Sequence, residues 1–262
     1  MSLFDSYDAE RKAVLNPWNV CKPVEGFPET VVVTFGTRLL DLALEQFDCC
    51  PAADMTEGGG SLKVYKFQVP APCDADRTEE KTLGIYRTTM GAPMTVALME
   101  EAIAMGAKKF VFFGSCGTLD RNIPAGHLIV PEAAYRDEGT SYHYMPAAAG
   151  DYIEVKTAEK TASIIEALGL QTLRTRVWTT DGLYRETRRN MEARRREGCQ
   201  VVDMECSAIM AVAAYRGVEA HQFLYAEDNL DAIEWDPRTM GAVPKSAKEL
   251  YLRTAVEIAL RV

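Results

Sequence analysis

The 262-residue sequence lacks an excess of basic residues, long apolar runs and paired cysteine motifs. Its 29 Lys and Arg against 38 Asp and Glu give a formal net charge of -9, which argues against general affinity for nucleic acid or an anionic membrane. Nowhere do about 18 apolar residues follow one another, and no apolar run follows a basic start, so we expect neither a membrane span nor a signal peptide. Small-molecule partners are therefore the default expectation.

The cysteines and histidines form no recognisable metal or disulfide pattern. The seven cysteines are odd in number, without a CxxC pair, and adjacent Cys49 and Cys50 are poorly placed for a disulfide framework. This usage favours a reducing compartment, and we expect the cytoplasm. His127, His143 and His221 are far apart in sequence, and neither a P-loop nor a GxGxxG motif occurs, so we expect no metal and no cofactor.

Short β-rich runs alternate with helical periodicity, which is typical of an α/β layered fold. The apolar run 30–35 predicts a buried strand, and residues 94–107 have apolar side chains at helical spacing. The loose segments 16–30 and 70–82 do not divide the composition, so we expect one domain over residues 1–262. The other predicted strands are 62–69, 83–90, 108–114, 127–137, 172–180 and 219–228, and the other predicted helices are 38–47, 159–170, 207–217 and 247–262.

Four loops that follow predicted strands are the places to look for chemistry, because ligands of α/β sheets usually lie outside the carboxyl ends of strands. Glycines let a backbone approach a ligand closely, and successive N–H groups with a hydroxyl such as Ser115 can hold an oxyanion. Each loop alone is more typical of a tight turn than of a ligand contact. The four loops are 35–37, 90–93, 114–118 and 226–231.

The segment VVDMECSAIMAVAAYRGV at 201–218 places an acidic pair at the start of an apolar helix. With it, the sequence resembles the nucleoside phosphorylase family, which includes purine nucleoside phosphorylase, uridine phosphorylase and the methylthioadenosine nucleosidases. The matching pieces are MGAP, GSCGTLDRNIPAGHLIVPEAAYRDEGTS, TTDGLYRET, VDMECSA and AEDNLD, in the family's order between about residues 30 and 230. The resemblance implies an α/β fold, a three-layer α/β/α sandwich with a central mixed, partly barrel-like sheet. It also implies a homo-oligomer (dimer or trimer of dimers) and cleavage of a nucleoside's N-glycosidic bond.

Breaking a ribosyl C–N bond develops positive charge on the sugar and negative charge on the base. The resemblance implies that Glu205 accepts hydrogen bonds from the ribose hydroxyls and that Met204 packs against the sugar. It places Asp228 where purine-cleaving relatives carry the acid that protonates the base, a role that needs a raised pKa, to which Glu227 could contribute. From the residues alone, Glu205 is equally typical of a first-turn carboxylate, and Asp228 or Asp231 of a solvated loop.

The segment TTDGLYRET corresponds to the part of the family that packs on the nucleobase. Relatives specific for uracil carry a Gln and an Arg just downstream, where this sequence has Thr187 and Arg189. Because the Gln is absent, a purine is slightly favoured over uridine, and Arg189 also fits a solvated basic helix face. The resemblance implies base contacts from Cys116, Gly117, Leu183, Tyr184 and Arg189.

Phosphorolytic relatives hold phosphate with a glycine loop, a hydroxyl and arginines. The resemblance implies Gly36, Arg38 and Ser115 as the phosphate or nucleophile contacts. Phe112 and Leu40 occupy the positions of two expected arginines, and hydrolytic members likewise lack the arginine that precedes the glycines. We expect phosphorolysis to a free base and ribose 1-phosphate, with inorganic phosphate as co-substrate. The alternatives are a nucleosidase and a non-catalytic nucleoside-binding protein.

Other residues are expected to complete the site. Arg38, Arg87, Arg136 or an arginine from another subunit could replace the missing cations. The family often contacts the ribose with a His from the neighbouring subunit's N-terminal segment, whereas no His precedes His127 here. The contact with the sugar's 5′ end is therefore expected to differ.

Overall fold

The structure, a computed structural model, describes residues 2–57, 60–71 and 79–262. Ten strands and eight helices are found in these ranges. The strands are β1 (Thr30–Thr34), β2 (Cys50–Glu57), β3 (Gly60–Ala71), β4 (Glu79–Arg87), β5 (Lys109–Thr118), β6 (Leu128–Asp137), β7 (Tyr152–Glu154), β8 (Thr172–Thr180), β9 (Cys199–Asp203) and β10 (Glu219–Asn229). The helices are α1 (Pro17–Val20), α2 (Thr37–Gln46), α3 (Ala92–Met105), α4 (Ser141–Tyr144), α5 (Ala158–Ala167), α6 (Arg188–Arg196), α7 (Cys206–Arg216) and α8 (Lys245–Arg261). Short 3₁₀ turns lie at Leu3–Asp5, Ala147–Ala149 and Leu183–Arg185.

One mixed sheet contains these strands, and part of it closes into a ring. From its open edge the order is β2, β3, β4, β1 and β5, after which β5, β10, β6, β8 and β9 pair in a cycle that returns to β5. β5 runs parallel to β1 and β10 and antiparallel to β9. The predicted mixed, partly barrel-like sheet is therefore confirmed.

Helices cover both faces of the sheet. α2, α5 and α8 pack together on one side, whereas α1, α3, α4 and α7 pack on the other. α7 is apolar nearly all round, with eight buried residues, and ends at Gly217, whose φ of 71° is the left-handed conformation that glycine adopts most readily. The predicted three-layer α/β/α arrangement is confirmed.

The core explains why two positions expected to hold arginines do not. Phe112 is 0 % exposed and its ring stacks on that of Phe110, while Leu40 is 9 % exposed on the inner side of α2. Burying an apolar side chain of this size contributes about 1.5–3 kcal/mol, whereas an unpaired buried cation costs several kcal/mol. Both positions belong to the packing of the sheet against its helices.

β2 and β9 were not predicted from the sequence. β2 contains Pro51 and mostly exposed side chains, and its pairing with β3 shifts register between Pro51 and Ala53. β9 has only five residues and lies directly before Met204. Neither strand has the clean alternation that identifies a strand in sequence.

No helix in the described ranges is long and apolar enough to cross a membrane. Six of the seven cysteines fall in those ranges and all six are free thiols, while Cys73 lies outside them. Part of the loose segment predicted at 70–82 also lies outside the described residues.

Candidate active site

A cavity of about 240 Å³, here called the inner cavity, opens where β5, β9 and β10 end beside the first turn of α7. Ligands of α/β sheets usually bind at such strand ends. Residues that the sequence predicted for the ribose, the base and the nucleophile meet in it. From that predicted set, the lining includes Ser115, Cys116, Gly117, Leu183, Met204, Glu205 and Asp228.

The glycines of β5 allow other side chains to reach this cavity. A Cβ atom at Gly114 would lie 2.7 Å from Cδ2 of Phe35. A Cβ atom at Gly117 would lie 2.7 Å from Cδ1 of Leu230 and 3.1 Å from Oδ1 of Asp228. Real Cβ atoms do not approach that closely, so the two glycines create the space in which these side chains stand.

Glu205 directs its carboxyl group into the inner cavity. The residue is 7 % exposed, and its Oε1 accepts a hydrogen bond of 2.6 Å from the backbone N–H of Gly91. Gly91 has a φ of 108°, a conformation that L side chains rarely adopt, and the MGAP segment therefore needs glycine to aim this N–H. Burial, and then the nearby Asp203 carboxyl, raise the pKa of Glu205 to about 8.

Asp203, which sequence reasoning missed, caps the helix that Glu205 begins. Its Oδ2 accepts the backbone N–H of Cys206 at 2.8 Å, and its Oδ1 accepts the Thr179 hydroxyl at 2.7 Å. Burial raises its pKa to about 6, although these hydrogen bonds act in the opposite direction. Because Asp203 satisfies the helix start, Glu205 makes no side-chain cap bond there and is left for the cavity. An acid ending a strand just before an apolar helix was the available signal.

Asp228 enters the same cavity because β10 carries a bulge. Ala226 pairs with Cys116 and Asp228 pairs with Gly117, so Glu227 is the extra residue. In a regular strand, neighbouring side chains point to opposite faces, but a bulge re-aims them, and here both Glu227 and Asp228 line the inner cavity. Oδ2 of Asp228 accepts the indole N–H of Trp235 at 2.7 Å, which fixes the orientation of the carboxyl group.

Asp231, the other acid of the AEDNLD segment, has a different setting. Its carboxyl group accepts hydrogen bonds from Arg121 at 3.2 and 3.3 Å and from Arg195 at 2.9 Å. The hydrogen bond from Arg121, with the charge of Arg195, lowers the pKa of Asp231. It is 6 % exposed and does not belong to the inner-cavity lining, so the prediction that it could be a solvated loop carboxylate is wrong.

The residues predicted to contact the base do not all line the same cavity. A second cavity of about 490 Å³, here called the outer cavity, shares Leu183, Glu186 and Asp228 with the inner one. Tyr184 lines only the outer cavity and is 94 % exposed, while Arg189 is exposed on α6 and lines neither. Glu186 lies within the TTDGLYRET segment, but sequence reasoning assigned it no role.

The predicted phosphate contacts are only partly brought together. Ser115 is exposed at the inner cavity, whereas Gly36 precedes the first turn of α2 and Arg38 lines a separate cavity with Asp41. Arg136 is 3 % exposed and already donates to the Ser141 hydroxyl and to three backbone carbonyls. It is therefore wrongly placed to replace a phosphate-binding arginine.

The inner cavity is strongly acidic. Among the described residues that line it, none is Lys or Arg, and five carry carboxyl groups: Glu186, Asp203, Glu205, Glu227 and Asp228. Burial raises the pKa of the Cys116 thiol well above its ordinary value, and its Sγ donates to the Tyr225 carbonyl, so this thiol is neutral. In the described part of the chain, no group of three or more His, Cys, Asp or Glu side chains is arranged to hold a metal ion.

Two solved structures have a similar fold. The fold is similar to that of uridine phosphorylase from Vibrio fischeri ES114, with a TM-score of 0.73, 21 % identity and coverage of 96 % of this chain and 100 % of that one. It is also similar to AMP nucleosidase from Bacteroides thetaiotaomicron VPI-5482, with a TM-score of 0.66, 17 % identity and coverage of 90 % and 88 %.

The curated relatives match this chain over only part of their own lengths. The uridine phosphorylase of Thermococcus kodakarensis is 38 % identical over 85 residues, 32 % of this chain and 30 % of that protein. The chain spans 54 % and 30 % of the first two curated relatives' own lengths. The phosphorylase superfamily model matches residues 31–257, which include all the elements that build the inner cavity. The chain therefore belongs to the phosphorylase superfamily.

Proposed function

We propose that this protein cleaves the N-glycosidic bond of a nucleoside. The observation that carries the proposal is that Glu205 and Asp228 enter one cavity from different elements, with the Gly114–Gly117 segment beside them. Cleavage needs one group near the growing positive charge of the sugar and another near the departing base. In this proposal Glu205 accepts the ribose hydroxyls, Met204 packs on the sugar, and Asp228 delivers the proton to the base.

The setting of Glu205 supports a sugar contact. Its pKa of about 8 means that the carboxyl group of the empty site holds a proton at neutral pH. Two hydroxyl donors from a ribose would stabilise the ionised form, and that anion would lie close to the developing cation. Binding of the sugar and ionisation of Glu205 are then linked.

A purine nucleoside is the favoured substrate. Oδ2 of Asp228 already accepts a hydrogen bond from the indole N–H of Trp235, whereas Oδ1 faces the space kept open by Gly117. A purine leaving group carries a ring nitrogen that can receive the proton from such an acid, which is the reason for preferring it over uridine.

For the nucleophile, the charge of the inner cavity favours water. A phosphate dianion would be repelled by those of the five carboxyl groups that are ionised, and the described lining offers no Lys or Arg to offset that repulsion. Phosphorolysis to ribose 1-phosphate, which the sequence favours, is the second candidate. It is supported by the exposed Ser115 beside the glycines and requires a cation from a neighbouring copy of the chain.

Further properties are proposed from the sequence, some from the family resemblance and others from cysteine usage, motifs, length and composition. The protein acts in nucleoside salvage in the cytoplasm, as a dimer or a trimer of dimers. It requires no cofactor beyond phosphate, if phosphate is the nucleophile. The whole chain, residues 1–262, is proposed to be one domain.

The test is incubation of the purified protein with guanosine, inosine, adenosine and uridine, with and without inorganic phosphate. Chromatography of the products would separate free ribose, expected for hydrolysis, from ribose 1-phosphate, expected for phosphorolysis. Glu205→Ala should lose the activity, and Glu192→Ala, which changes an exposed carboxylate of α6 outside both cavities, should keep it. Absence of cleavage of all four nucleosides would favour a nucleoside-binding protein instead.

A further inference from the structure

The outer cavity differs from the inner cavity in size and in chemical character. Its volume of about 490 Å³ compares with about 240 Å³ for the inner cavity, and among its described lining residues only Glu186 and Asp228 have carboxyl groups. Both of these acids also line the inner cavity, so they lie at the boundary between the two. The residues that line the outer cavity alone are Tyr184, Arg188, Met191 and Trp235. Beyond the boundary the wall is therefore aromatic and apolar, with one arginine.

Hydrogen bonds within the protein hold this far wall in place. Nη2 of Arg188 donates to the backbone carbonyls of Ala232 and Ile233, so the guanidinium is already engaged and ties the loop after β10 to the start of α6. The indole N–H of Trp235 donates to Oδ2 of Asp228 at 2.7 Å, which fixes the plane of the ring beside the boundary. The aromatic wall is thus positioned by the protein itself.

Three large side chains around the outer cavity are exposed to water. Tyr184 is 94 % exposed, Trp235 59 % and Met240 49 %. Single exposed apolar side chains are common on protein surfaces, but several around one concave site are typical of ligand binding. Because the outer cavity is continuous with the inner one, the ligand that covers them is expected to be an extension of the molecule that the inner cavity holds.

The position of Asp228 indicates which edge of a purine would face the outer cavity. In a purine nucleoside N9 is bonded to the sugar, so N7 is the nitrogen of the five-membered ring that can receive the proton. N7 and the substituent at position 6 lie on the same edge of the base. With N7 at the carboxyl group of Asp228, position 6 lies at the boundary, and a group attached there extends towards Trp235, which is bonded to the same carboxyl group.

We propose that the outer cavity is a subsite for an aromatic or branched apolar group at position 6 of the purine, which makes purine nucleosides with a bulky apolar 6-substituent the substrate class. The inference rests on the proposed function, because it requires a nucleoside with its base at Asp228. Packing of such a group against Tyr184, Met191 and Trp235 removes apolar surface of both molecules from water, and an aromatic ring gains a further contact with the indole. No carboxyl group of the far wall has to be desolvated, since none of the residues that line the outer cavity alone has one.

The test is calorimetric binding of two C-nucleosides, 9-deazaadenosine and its N6-benzyl derivative, whose sugar–base bond is carbon to carbon and is not cleaved. The wild-type protein should bind the benzyl derivative about tenfold or more tightly than the parent, as expected for burial of one aromatic ring. In Trp235→Ala this ratio should fall to about threefold or less. Trp235→Phe loses the N–H but keeps an aromatic wall, so the ratio should stay near the wild-type value even if both affinities change. Trp18→Ala removes an exposed tryptophan of α1 outside both cavities and should leave the ratio unchanged.

A second variant keeps the test decisive if Trp235→Ala does not fold. Tyr184→Ala truncates an almost fully exposed side chain and should lower the ratio by about two- to threefold with an unchanged thermal unfolding midpoint.

The outcomes separate this inference from the proposed function. Equal or weaker binding of the benzyl derivative by the wild type, as expected if a second copy of the chain fills the outer cavity, would overturn the subsite alone. An unchanged ratio in folded Trp235→Ala and in Tyr184→Ala would do the same. Failure of the wild type to bind either compound would overturn both proposals. Binding with the expected ratio, but no cleavage of adenosine or N6-benzyladenosine, would support the subsite and contradict the catalytic proposal.

Discussion

Among the residues that the structure describes, buried carboxyl groups differ in whether arginines hold them. Glu100, on α3, receives two hydrogen bonds from Arg216 at 2.6 and 2.8 Å, and Asp231 is held by Arg121 and Arg195. Glu205 is as deeply buried as these residues, but its hydrogen-bond partner is the backbone N–H of Gly91. The acids around the inner cavity are thus left without compensating cations among the described lining residues.

The difference separates carboxyl groups whose charge is already paired inside the fold from carboxyl groups without a paired cation. A buried carboxylate with a bidentate arginine is already paired, and its removal leaves the arginine unpaired, which lowers stability. A buried carboxyl group without a cation holds a raised pKa at a cost to stability, a pattern typical of functional sites. The first set should therefore affect stability when mutated and the second should affect activity.

The largest expected effect is that of Glu205→Ala. Because this change removes the group proposed to grip the ribose, kcat/KM for nucleoside cleavage should fall by roughly 10³-fold or more. The measurement is release of free base under initial-rate conditions. Activity within tenfold of wild type would contradict the assignment and make Glu205 a structural acid like Glu100.

Asp228→Asn should have the next largest effect, and it should depend on the leaving group. Loss of a general acid lowers the rate by about 10²-fold or more for purine nucleosides. A ribosyl substrate with a nitrophenolate leaving group needs no proton and should lose only a few-fold. Equal losses on both substrates would show that Asp228 does not act as the acid.

The pH dependence of stability should also distinguish the two sets. The pKa of Glu205 is about 8 in the folded protein against an ordinary 4.5, so between these values the folded state holds a proton that the unfolded chain has lost. The free energy of unfolding should therefore fall as pH rises from 6 to 8, by at most about 1.4 kcal/mol per pH unit for this proton. Glu205→Gln should reduce that slope in urea unfolding curves measured at several pH values. A slope identical to that of the wild type would contradict the raised pKa.

The smallest effect on catalysis is expected for Asp231→Asn. The change leaves Arg121 and Arg195 without their carboxylate, but both arginines are partly exposed, and water offsets much of the loss. The thermal unfolding midpoint should fall by about 2–4 °C, while kcat/KM stays within twofold of wild type. A large loss of activity with an unchanged midpoint would place Asp231 among the functional acids.

The sequence predicts the layered fold well because its signals are local and strong. The three consecutive valines of β1 and the glycine-terminated α7 need no tertiary information to be recognised. The family resemblance, in turn, points to Glu205 and Asp228, whose roles stay predictions. The role of Asp203 is harder to predict: an acid that ends a strand just before an apolar helix is its only signal in the sequence, and its partner, the backbone N–H of Cys206, is brought to it only by the folded chain.

Arg38 was predicted to contact the phosphate or nucleophile, but in the structure it lies away from the inner cavity. The glycine loop after β1 departs from the family pattern, since Leu40 occupies the arginine position and Arg38 comes two residues earlier. Sequence spacing does not show on which side of α2 a side chain will lie. Leu39 and Leu40 are buried against the core, so Arg38 lies on the exposed side with Asp41 and faces a separate cavity.

The bulge in β10 has a genetic consequence. Glu227 is a single additional residue, and deleting its codon would restore uninterrupted alternation along the strand. Asp228 would still stand opposite Gly117, but the carboxyl group of Glu227 would be lost from the inner cavity. One three-nucleotide deletion would thus remove one acid from the wall of the cavity while the strand pairing on either side of the bulge stays in register.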